Sequence, residues 1–72
     1  MQGTLKFTLE GPRWADIPAF VRDYCFRRDI ELDMQVDKGW IFVKCYVKMK
    51  GDHDMMLRAK RDIIRTIEQY NA

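Results

Sequence analysis

The chain has 72 residues, 33% of them charged and 47% hydrophobic, with a formal net charge of +2. That is one small globular domain, which buries only about 60% of its unfolded surface and has little core to spare for chemistry. The charge is too slight to imply a nucleic-acid partner by itself, the longest apolar run (Trp40–Val43) is far short of a membrane span, and Met1–Thr4 has no basic region leading into an apolar stretch. A cytoplasmic protein without a signal peptide is expected.

Thr4–Glu10 alternates, with Leu5, Phe7 and Leu9 on one face and Lys6 and Thr8 on the other, which reads as a strand stopped by Gly11-Pro12. Asp16 suits a helix N-cap, and Pro18 is tolerated in the first turn, where its missing N–H costs nothing. Ile17, Phe20, Val21, Tyr24 and Cys25 then recur at helical spacing to about Arg28, leaving Phe26 on the outer side without an explanation. Asp29–Val36 alternates again, with Ile30, Leu32, Met34 and Val36 inward. Lys38-Gly39 is read as the hairpin turn into a third strand whose inward residues are Ile41, Val43, Cys45, Val47 and Met49. This register sets Val36 opposite Ile41, Met34 opposite Val43 and Leu32 opposite Cys45, whereas a one-residue slip mixes the faces. On the other face Asp33 would meet Lys44 and Asp29 would meet Lys48.

Gly51 and Asp52 end that strand. A second helix is expected from about His53 to Tyr70, with Met56, Ala59, Ile63, Ile64, Ile67 and Tyr70 inward. The order β-α-β-β-α, with one apolar face per strand and one stripe per helix, predicts an α+β fold in two layers, with two helices on one face of a three-stranded sheet. The right-handed crossover makes the first two strands parallel with the third between them, order 1-3-2, a ferredoxin-like unit lacking its fourth strand. Order 3-2-1 is the alternative. Leu5, Phe7, Leu9, Val21, Cys25, Leu32, Met34, Val43, Cys45, Val47, Ile63 and Ile67 are the expected core.

One sheet face stays open, and the third strand sends Trp40, Phe42, Lys44, Tyr46, Lys48 and Lys50 to it, with Lys6 from the first strand. No partner across the strands can bury those rings. Aromatics interleaved with lysines suit single-stranded nucleic acid, where stacking contributes about 1–3 kcal/mol per base. They suit a protein partner equally, since buried aromatics anchor interfaces. KGWIFVKC, residues 38–45, resembles the aromatic octapeptide of RNA recognition motif domains. Lys38, Gly39, Phe42 and Val43 match and Trp40 is conservative, while Ile41 and Cys45 depart and Lys6 stands where a second stacking aromatic belongs. The resemblance implies base stacking on Trp40 and Phe42. EGPRW resembles the arginine-bearing loop of acylphosphatase at Arg13 alone.

The remaining features favour ordinary structural roles. Asp52-His53-Asp54 reads as helix capping rather than a metal site. Arg58, Arg61 and Arg65 read as a solvated face paired locally with Asp54 and Asp62. Cys25 and Cys45 read as buried, reduced thiols. No second histidine, nucleophile–base pair or phosphate-cradling loop is present. The expectation is a binding module, not an enzyme, that needs no cofactor or metal. Its expected partners are single-stranded nucleic acid or a protein, with no membrane partner. The first strand, Leu5–Leu9, is an unprotected edge through which two copies could join.

Overall fold

In a computed structural model, which describes residues 2–71, strand β1 (Gln2–Pro12) leads through a short 3-10 turn (Arg13–Ala15) into helix α1 (Ile17–Arg27). A hairpin of β2 (Glu31–Lys38) and β3 (Phe42–Asp52) follows, then helix α2 (His53–Asn71). The sheet order is β1-β3-β2, with β3 antiparallel to both neighbours, so β1 and β2 are parallel. The two-layer β-α-β-β-α architecture expected from the sequence is present. Leu9, Ile17, Val21, Cys25, Ile30, Val43, Cys45, Val47, Met49, Met56, Ala59, Ile63 and Ile67 form one buried core.

The hairpin departs from expectation. Gly39 N–H donates to the Phe42 carbonyl at 2.8 Å, so Trp40 and Ile41 are the tip, two residues later than Lys38-Gly39. Val36 therefore faces Cys45, Met34 faces Val47 and Leu32 faces Met49, four places along β3 from the expected partners. Gly39 serves a close approach rather than a left-handed turn: a Cβ there would lie 2.9 Å from the Phe42 carbonyl oxygen. The later turn lengthens the ladder and sets three lysines opposite carboxylates, Glu31–Lys50, Asp33–Lys48 and Asp37–Lys44, where the expected register offered two such pairs. Ile41, expected in the core, is 69% exposed.

Asp29 does not join β2. It holds φ 56° after the last turn of α1, where Ile30 N–H reaches back to the Cys25 carbonyl at 3.0 Å, the wrap of a helix C-cap. Asp16 occupies the N-cap position of α1 but in a left-handed conformation (φ 48°) and without a side-chain cap hydrogen bond, so the expected capping is replaced by the turn itself. Pro18 lies in the first turn, as expected. Gly11-Pro12 does not stop β1: both residues pair with β3, and a Cβ at Gly11 would overlap Ile17 Cδ1, so a larger residue there would have to displace the end of that buried side chain. At α2 the Asp52 carboxylate does cap, accepting from Met55 N–H at 3.1 Å, and this bond holds its pKa below the ordinary carboxylate range.

The remaining corrections lie at the margins of the core. Leu5, Phe7, Leu32 and Met34, expected inside, are half-buried because they lie on the two edge strands of a sheet only three strands wide. Tyr70 is exposed, and Ile64 is half-buried. Asp62 does not pair with Arg58: it turns toward α1 and accepts a 2.7 Å hydrogen bond from the Tyr24 hydroxyl. The Arg28 guanidinium, at the C-cap of the same helix, stacks 3.6 Å from the Tyr24 ring centre. Cys25 and Cys45 are buried free thiols, and burial raises both above the ordinary thiol range.

Candidate functional site

Strand alternation builds the open face in rows running across β1, β3 and β2. The rows are Thr4–Lys50–Glu31, Lys6–Lys48–Asp33, Thr8–Tyr46–Gln35 and Glu10–Lys44–Asp37, with Pro12–Phe42 at the end. Lys6, Phe42, Lys44, Tyr46, Lys48 and Lys50 thus share one face. Trp40 does not. It lies at the hairpin tip, 95% exposed, because the turn falls inside the octapeptide. KGWIFVKC is therefore split between the end of β2, the tip and the start of β3, and cannot place Trp40 on the sheet as the resemblance to RNA recognition motif domains implies.

The charges of this face are balanced. Lys6, Lys44, Lys48 and Lys50 alternate with Glu10, Glu31, Asp33 and Asp37 across the rows. No lysine of this face closes to within 4 Å of a carboxylate among the described residues, where the direct ion pair is Arg27–Asp23 on α1. One row is frustrated, with Lys6 directly opposite Lys48, a like-charge pairing that destabilises a ladder. At the centre, Lys6, Thr8, Asp33, Gln35, Tyr46 and Lys48 line an open depression of about 370 Å³. Tyr46 is 45% exposed there, with the Lys44 ammonium 5.6 Å from its ring centre. Phe42 stands four residues along the strand from Tyr46, a backbone rise of about 13 Å, with Lys44 between them on the same face.

A second surface escapes the sequence reading. Arg13 N–H donates to the Ile41 carbonyl at 2.8 Å, tying the turn after β1 to the hairpin tip. Trp14, 73% exposed, packs edge-on against Tyr70 near the end of α2, with ring centres 5.5 Å apart. Trp14, Trp40, Ile41, Phe42 and Tyr70, all exposed, therefore lie at the same end of the domain, with Phe42 on the open sheet face and Trp14 against α2 on the helix side. The sequence signal was the consecutive run Trp40-Ile41-Phe42, which cannot alternate between faces and so marks either a buried strand or an apolar turn. Arg13, the residue matching the acylphosphatase loop, is exposed at this same end. Among the described residues, no three His, Cys, Asp or Glu side chains converge as a metal-binding group, and no helix is long and apolar enough to cross a membrane. Comparison with protein families, with curated proteins and with solved structures finds no match for the chain.

Proposed function

We propose that the protein is a non-catalytic interaction module that docks a protein partner through its aromatic end, Trp14, Trp40, Ile41 and Phe42. The observation that carries this reading is the identity of the hairpin tip. Neither Trp40 nor Ile41 has a positive φ, so the tip is not one of the primed turns that match strand twist and favour Asn or Gly. Two large apolar side chains stand at a position where local stability favours small polar ones, and both face solvent. Exposed apolar side chains of this kind mark interaction sites, and tryptophan is enriched among the residues that anchor interfaces. The balanced charge of the adjoining sheet face suits a protein surface of mixed charge better than a polyanion.

A photo-crosslinking phenylalanine analogue in place of Trp40 tests this in cells. A discrete protein adduct that Ile41→Asp abolishes is the expected result. Adducts to nucleic acid alone, or adducts indifferent to Ile41→Asp, reject it. The depression around Tyr46 favours a second reading, a single-stranded nucleic acid on the open face. In that case a mixed oligonucleotide shifts the NMR signals of β1 and β3, Tyr46→Ala weakens binding by about 1–3 kcal/mol, and log K falls with log salt at a slope of about −2. Affinity independent of salt rejects this second reading.

A further inference from the structure

We infer that β1 is a homodimerisation edge, and that two copies join β1 to β1 antiparallel about a two-fold axis through Thr8, forming one six-stranded sheet. This interface is separate from the aromatic end and does not depend on the reading of that end.

The direction of the edge's free groups follows from three hydrogen bonds. The Phe42 carbonyl points toward β2, where it accepts from Gly39 N–H, so even residues of β3 point their backbone groups to β2 and odd ones to β1. Arg13 N–H, bonded to the Ile41 carbonyl, continues the odd–odd pattern between β1 and β3. The even residues Thr4, Lys6, Thr8 and Glu10 therefore direct their N–H and C=O groups outward, away from the sheet. Asn71 Nδ2 meets the outward Glu10 carbonyl at 3.1 Å, and that oxygen retains a second lone pair. An edge of this length presents a template for another strand.

Side-chain chemistry selects the partner and the register. A two-fold at Lys6 sets lysine against lysine, and one at Phe7 sets Lys6 against Thr8. A two-fold at Thr8 sets Lys6 opposite Glu10 of the second copy, twice by symmetry, with Thr8 opposite Thr8 and Phe7 opposite Leu9. Lys6, which meets only Lys48 within its own sheet, thereby gains a carboxylate. The continuous row then reads Asp33–Lys48–Lys6, followed by Glu10–Lys44–Asp37 of the second copy. The ladder ends where Thr4 meets Pro12, which has no N–H to donate. The opposite edge cannot do this, because β2 carries Glu31, Asp33 and Asp37 and repels its own copy.

The apolar surface agrees. Leu5 and Phe7 are half-buried at this edge. The side of α2 above it is identified by Lys60, whose ammonium lies 5.8 Å from the Phe7 ring centre, and by Asn71. That side carries Leu57, exposed, and Ile64, half-buried, in an open groove that Lys60, Arg61, Arg65 and Glu68 also line, so its apolar part is small. The two α2 helices meet there across the axis, covering what one copy leaves open.

Sedimentation of the full chain from low to high micromolar concentration is the test. A reversible dimer is expected. Thr8→Pro removes an outward N–H without breaking a β1–β3 bond and should abolish it. Lys6→Glu should raise the dimer dissociation constant about tenfold, while relieving the clash with Lys48, so the fold itself is not at risk. The Lys6→Glu, Glu10→Lys double variant should restore dimerisation. A wild-type chain that stays monomeric or forms open-ended polymers overturns the inference. So does a dimer indifferent to Thr8→Pro and to Lys6→Glu alone.

Discussion

Asp29 shows how one residue's backbone overrides its place in a pattern. The alternation of Asp29–Val36 enrols it in a strand, yet its left-handed backbone ends α1 and turns the chain toward β2. A side chain in that conformation is strained by roughly 1–2 kcal/mol, less for aspartate than for most residues, and glycine is free of the penalty. Asp29→Gly should therefore stabilise the protein by about 0.5–1 kcal/mol, read as a higher urea midpoint. The strand assignment demands the opposite sign, since glycine weakens a strand and would remove a partner from Lys48. A lowered midpoint would contradict the cap. Polarity did not reveal the difference, because aspartate is common in both places. The absence of glycine at the end of α1 hid the signal.

At the scale of elements, strand identity and facing were legible and register was not. Period-two alternation is unchanged by any even displacement, so a register four places away keeps every core residue opposite a core residue. Only the turn can break the tie, and Lys38-Gly39 drew it two residues early. The aromatic site was misread for the same reason: with the turn at Trp40-Ile41, a tryptophan assigned to the sheet becomes a tip. The tip's composition implies a local cost. Trp40→Asn with Ile41→Gly installs a primed turn and should raise stability by about 0.5–2 kcal/mol. A double variant less stable than the parent would show that the tip packs for the fold rather than for a partner. Between the helices, burial first and the Asp62 hydrogen bond second raise the Tyr24 phenol above its ordinary value near 10. The neutral phenol's contribution is therefore whole below that value and lost as pH rises through the higher folded one. Tyr24→Phe should cost about 1 kcal/mol at neutral pH, and its deficit should shrink in strongly alkaline buffer. A deficit equal at both pH values would remove the hydrogen bond from the account.

At the scale of the molecule, the half-buried strand positions lie on the two edges of a three-stranded sheet. The core centred on β3 and α2 is closed, whereas Leu5 and Phe7 on one edge and Leu32, Met34 and Val36 on the other remain partly wet. The sequence could name these residues as inward-facing, but it could not show that a sheet three strands wide leaves its edges only half covered. A second copy on β1 would cover one edge. It would also merge the two open faces and, because the strands run antiparallel, carry the two aromatic ends to opposite extremes, a geometry suited to bridging two partners. Dimerisation that stabilises only the folded chain makes unfolding depend on concentration by mass action. The melting temperature should therefore climb as concentration rises from low to high micromolar, and Thr8→Pro should flatten that dependence. Lys6→Glu separates the two terms: in dilute solution it should melt no lower than the parent, since it removes the repulsion from Lys48, and in concentrated solution it should melt lower, since it loses the partner's Glu10. A Lys6→Glu curve parallel to the parent's across the whole range would place the dimer contact, if any, away from β1.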